Sequence, residues 1–142
     1  MPAKPNPAPK AEAAPVQPWS KVLVISWLVP GGGHLLLKRT GRGAILMGTI
    51  VVMFVLGLLM RGVMFHPQRA DVLTTIITYG GFLGDLATGL LYILAYIFGY
   101  PDKVVDVAGH VHDYGTKFLV AAGLLNILAM IDAFEIAKGK KE

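Results

Sequence analysis

Residues 43–60, GAILMGTIVVMFVLGLLM, carry no ionisable side chain and are bracketed by Arg42 and Arg61. At 1.5 Å of rise per residue this run makes a helix about 27 Å long, close to the ~30 Å hydrocarbon core of a bilayer. A chain of 142 residues is too short to bury such a helix on every side within a soluble core. The run therefore predicts a transmembrane helix. Every other segment must then be placed relative to a lipid phase in which backbone polar groups are satisfied inside the protein.

Composition agrees: 54% of residues are hydrophobic and 15% charged, against roughly 25% charged in a soluble domain. The length leaves room for a few spans and short connections but not for an added soluble catalytic domain. The net charge of +4 comes from lysines and arginines beside apolar runs. There they meet lipid head groups and set orientation, so nucleic acid is not an expected partner. The absence of cysteine excludes disulfides, thiolate metal sites, covalently attached c-type haem and a thiol nucleophile.

Residues 1–18 hold six prolines and no apolar periodicity, which predicts a disordered or partner-bound tail, retained for want of a cleavage site after it. Residues 19–142 form one expected helical membrane domain. Within it, residues 19–37 run apolar from Trp19 into Pro30-Gly31-Gly32-Gly33, where a helix must kink or break. This segment either crosses as a broken helix or dips in and returns on the same side; crossing is favoured because 19 residues suffice to span. Residues 61–71, with Pro67, read as a short loop. Residues 75–99 form a second long span, and residues 115–137 a last one. Between them, residues 101–117 place Val104, Val105 and Val111 on one helical face and Asp102, Asp106, His110 and Asp113 on the other, an expected interfacial amphipathic helix. Lysine and arginine divide 8 against 5 whether the first segment crosses or re-enters, so charge does not choose between three and four crossings.

The run PGGGHLLLKRTGRG over residues 30–43 resembles the signature of small two-span bacterial membrane modules with a glycine-histidine turn and a basic connector. The ending GLLNILAMIDAFEIAKGKK is similar to the close of small, functionally uncharacterised bacterial inner-membrane proteins, with Asn126 six residues before Asp132. The resemblance implies a multi-pass protein of the bacterial inner, or plasma, membrane and carries no assigned activity.

Asp85 lies near the middle of its predicted span, where a charge costs at least ~2.5 kcal/mol and a functional role is the default hypothesis. Gly81 and Gly89 flank it at helical spacing, and Tyr92 and Tyr96 continue nearly the same face. It reads either as an ion or proton relay or as a carboxyl hydrogen-bonded across a helix interface to Asn126. Asn126 itself sits among alanines, a packing face with polar glue. Arg61 and Asp132, on one membrane side in either topology, are candidates for an ion pair. His110 and His112, two apart, point in different directions on a helix and make no chelate, so no metal site is expected. His34, in the glycine break, is the residue best placed to serve as axial ligand to a haem or chlorophyll-type pigment, beside Trp27 and Leu35 to Leu37. No nucleophile-base pair, phosphate loop or zinc-protease motif occurs.

These observations predict an all-α, polytopic membrane protein of three or four transmembrane helices, the first broken at Pro30, plus one interfacial amphipathic helix. It is expected to have no enzyme activity and no cofactor other than a pigment or haem on His34. Its expected partners are the lipid bilayer and other membrane subunits, and its expected role is that of an accessory or scaffolding subunit. The alternatives are a small ion or proton channel or carrier using Asp85, and a pigment- or haem-associated subunit of an energy-transducing complex.

Overall fold

Proline and glycine punctuation cuts the apolar sequence into six helices in the computed structural model, which describes residues 17–100 and 110–140. Helix α1, Trp19–Leu28, stops because Pro30 forces Val29 into an extended conformation (φ −117°, ψ 110°). Gly31 then turns through φ +72°, and the short α2, Gly32–Leu36, follows. Helix α3, Thr40–Leu59, is the uncharged run up to Leu59, preceded by one turn of Thr40, Gly41 and Arg42. Helix α4, Val72–Ala87, starts on an Asp71 cap whose carboxylate accepts the Thr74 N–H at 3.1 Å. It ends at Thr88-Gly89, where the chain bends by 100° into α5, Leu90–Ile97. Helix α6, Val111–Ala137, is the longest.

The described residues form an all-helical membrane protein. Helices α3 and α6 are each long and apolar enough to cross a bilayer, and α4 with α5 would be a third span if the bent pair were one. The expected single helix over residues 75–99 is thus two helices, because Gly89 takes φ +61°, ψ −115°, a conformation open to few residues but glycine. Of the expected amphipathic helix, residues 101–109 lie outside the described residues, and residues 111–117 are the opening turns of α6 rather than a separate element. The predicted tail lies outside them too, up to residue 16.

Helix α6 is the axis against which the rest is measured. Helix α3 runs antiparallel to it: Gly57 lies against Leu119 at one end, and Arg42 is 3.8 Å from Asp132 at the other. Helix α1 also runs antiparallel to α6, with the Trp19 ring edge-on to Phe134 at 5.9 Å and the Ser26 carbonyl at Asn126. The chain then doubles back, and α2 brings His34 to Asp132, at the end of α6 where α1 began. Helix α4 instead runs parallel to α6, from Gly84 beside Val120 to the Ala87 carbonyl at Asn126. Helix α5 returns from there, placing Ala95 in a core with Ile50, Phe54, Met64, Leu119 and Ala122, and the Tyr100 hydroxyl donates to the carbonyls of Leu58 and Gly62.

Two hairpins therefore approach from opposite ends of α6, and their first helices meet tip to tip beside Asn126. At 1.5 Å per residue, α1 and α4 together measure about 39 Å, nearly the ~40 Å of α6, so the pair makes one composite column from two halves. The order of half-length helix, glycine turn, returning helix and long helix occurs twice with opposite direction, in α1–α3 and in α4–α6.

Candidate functional site

A polar joint marks the place where the two half-length helices meet α6. The Asn126 amide donates through Nδ2 to the Ser26 carbonyl at 3.2 Å and to the Ala87 carbonyl at 2.8 Å. Both carbonyls belong to final helical turns, which have no intrahelical donor, so one side chain satisfies a group on each hairpin. Trp27 fastens the same joint, its indole Nε1 donating to the Leu86 carbonyl at 3.0 Å. Thr88 Oγ1 donates to the Asp85 carbonyl at 2.7 Å. Ser26, Asp85, Thr88 and Asn126 are all buried, and Ser26 Oγ, Asp85 Oδ1 and Asn126 Oδ1 have no protein partner.

Asp85 is buried as its sequence position predicts, but it does not bond Asn126. Its Oδ2 accepts the backbone N–H of Phe65 at 2.7 Å, from the connection between α3 and α4. The unwound backbone there supplies a donor that no helix interior has free. Tyr92 and Tyr96 do not continue the Asp85 face. The 100° bend carries them away, leaving Tyr92 edge-on to Phe82 at 6.3 Å and Tyr96 exposed.

The expected pair of Arg61 and Asp132 is not formed. Arg61 follows the end of α3 that packs on Gly115, whereas Asp132 lies some 17 residues along α6, about 25 Å away by helical rise. Asp132 instead meets His34 Nε2 at 3.0 Å and Arg42 Nη1 at 3.8 Å. The expectation assumed that α3 and α6 put Arg61 and Asp132 on one side; their antiparallel packing puts Arg42 there.

His34 is fully buried, with Nε2 turned to Asp132 and Nδ1 enclosed without a partner. His110 and His112 both lie near Asp113, at 3.3 and 3.1 Å, at the start of α6. Among the described residues no group of three or more His, Asp or Glu side chains could hold a metal ion.

Sequence reasoning missed Ser26, the parts that Trp27 and Thr88 play in the joint, and the pairing of His34 with Asp132. Ser26 carries a readable signal, as the one hydroxyl in an otherwise apolar helix after Lys21. The others depend on which helix tips meet, which periodicity does not encode. No curated protein and no solved structure matches this chain. Residues 21–142 match a family of unknown function, DUF6677, and with nearly its whole length matched the chain belongs to that family.

Proposed function

We propose that this chain is a non-enzymatic, multi-pass accessory subunit of a bacterial inner-membrane complex. In this reading α3 and α6 cross the bilayer, and the two hairpins each enter to about half depth, α1–α2 from one face and α4–α5 from the other. Charge supports an orientation. Lys21, Lys38, Arg39, Arg42, Lys138 and Lys140 gather at one end of the helices and Arg61, Arg69 and Lys117 at the other, which makes the first end cytoplasmic by the positive-inside rule.

The observation that carries the subunit reading is the outer face of α3. Gly41, Ala44 and Gly48 are exposed there, and a Cβ added at Gly41 or Gly48 would meet nothing within 4 Å. Inside the chain, helices approach one another at such small residues, as Gly123 does at the Gly84 carbonyl. Small residues left uncovered on the lipid side offer the same close approach to a helix of another protein. Gentle detergent extraction followed by native electrophoresis tests this. The wild-type chain is expected in an assembly larger than itself, and Gly48→Leu is expected to release it. Migration of the wild type as an isolated monomer would sink the reading.

A second reading, a small ion or proton carrier, is favoured by the joint itself. Half-length helices that end near the middle of the membrane around buried polar groups are a recurring construction for ion sites, and Asp85 is such a group.

A further inference from the structure

The carrier reading leaves the transported species open, and the unpartnered buried atoms bear on it. Buried polar atoms are nearly always hydrogen-bonded, so each exception calls for an unseen water or ion. Among the described residues four of the five exceptions fall along one side of α6, and the fifth, His112 Nδ1, lies in the first turn of α6 itself. Asp132, its side chain 31% exposed, opens the series at the end of the helices where the basic residues gather. His34 follows, bonded to Asp132 through Nε2, with Nδ1 buried and unpartnered. Ser26 Oγ lies against Gly33, the residue before His34, and is also unpartnered. Asn126 Oδ1 comes next, on the amide that holds the Ser26 carbonyl. Asp85 Oδ1 closes the buried part, two residues before the carbonyl that the same amide holds at 2.8 Å. Beyond it, Asp85 Oδ2 meets the Phe65 N–H, and the next residue, His66, is half-buried toward the opposite end.

We propose that water bound by Ser26 Oγ, Asn126 Oδ1 and Asp85 Oδ1 links the His34–Asp132 pair to Asp85 in a proton relay through the protein. The proposal rests on the carrier reading and names the proton as its substrate. The groups suit a proton better than a metal cation. Asn126 and Ser26 orient water but carry no charge, while His34 and Asp85 can each accept and release a proton. Each transfer is balanced: a proton delivered from Asp132 to His34 Nε2 is matched by one leaving Nδ1 to water, and water passes one to Asp85 Oδ1. Release past His66 empties Asp85, and the cycle closes when reorientation of the His34 ring, left protonated on Nε2, turns a proton-bearing nitrogen back toward the water. Among the described residues His34 faces Asp132, whose same oxygen also meets Arg42, and Asp85 feels the charge of His66. Axial spacing is within reach of bridging waters, since Asn126 and Asp132 are six residues apart on α6, about 9 Å.

Purified full-length protein in liposomes, loaded with a pH-sensitive dye and driven by a potassium diffusion potential, tests the relay. Proton flux above that of empty liposomes is expected, falling by at least about tenfold in Asp85→Asn and in His34→Gln, since each removes a group that exchanges the proton. Ser26→Ala, which deletes one hydroxyl and leaves the helix contacts in place, is expected to lower flux several-fold and covers the case in which the other variants do not fold. The proposal is overturned if the wild type shows no flux, if all three variants conduct as the wild type does, or if sodium moves in place of protons. Absence of flux in the wild type, with the larger assembly intact on native gels, would remove the carrier reading and leave the subunit reading standing.

Discussion

Asn126→Leu is expected to destabilise the folded protein by about 2–6 kcal/mol, because each of two buried carbonyls loses its donor at roughly 1–3 kcal/mol apiece. The substitution keeps the side chain close in size and changes only its chemistry. The Ser26 and Ala87 carbonyls lie at the ends of α1 and α4, where no intrahelical N–H can replace the amide. Trp27 Nε1 is already committed to the Leu86 carbonyl. Polar contacts between ordinary membrane helices are worth less, averaging about 0.6 kcal/mol, because an unfolded helix in the membrane keeps its own backbone bonds. The size of the effect therefore separates the two cases. A loss below about 1 kcal/mol, measured by denaturant unfolding in micelles with tryptophan fluorescence, would mean that Asn126 is ordinary packing and not the fastening of two helix ends.

Gly89→Ala is expected to disrupt the fold more than any other substitution at a turn glycine. Gly89 has φ +61°, ψ −115°, which a side chain rarely adopts, and an added Cβ would run into the Trp27 carbonyl, so the α1 tip would be driven away from the α4–α5 turn. Gly99 is the control. It too has a positive φ, +69°, but a Cβ there would meet nothing within 4 Å, so Gly99→Ala carries only the left-handed strain, about 1–2 kcal/mol. In thermal unfolding Gly89→Ala should fall well below Gly99→Ala. Equal midpoints would show that the contact between the two tips contributes nothing.

How far the sequence reaches can be judged from these same residues. The uncharged run of residues 43–60 and the apolar run of residues 115–137 sufficed for α3 and α6, because a long helix with no charge in its middle has one environment open to it. Pro30 and the glycines after it announced the first break. Gly89 did not announce the second, since one glycine in an apolar run is compatible with a continuous membrane helix, and the run of residues 75–99 was long enough to cross. That single misreading accounts for the placement of Tyr92 and Tyr96 beside Asp85. The burial of Asp85 and Asn126 was legible from their isolation among apolar neighbours. Their partners were not, because the Phe65 N–H and the Ser26 and Ala87 carbonyls are backbone groups that any sequence possesses. The pairing of His34 with Asp132 follows from the antiparallel run of α1 and α3 along α6, a tertiary fact without a local signature.

In the proposed topology α1–α2 and α4–α5 enter the membrane from opposite faces and return without crossing. The chain has no cysteine, so single cysteines report position without background. Ser20→Cys, Lys38→Cys, Arg69→Cys and Gly139→Cys all replace exposed residues outside or at the ends of helices. Labelling of oriented membrane vesicles with an impermeant maleimide is expected to modify the first, second and fourth from one face and Arg69→Cys only from the other. If Ser20→Cys and Lys38→Cys are labelled from opposite faces, the first segment crosses, and the paired half-depth hairpins on which this account rests do not exist.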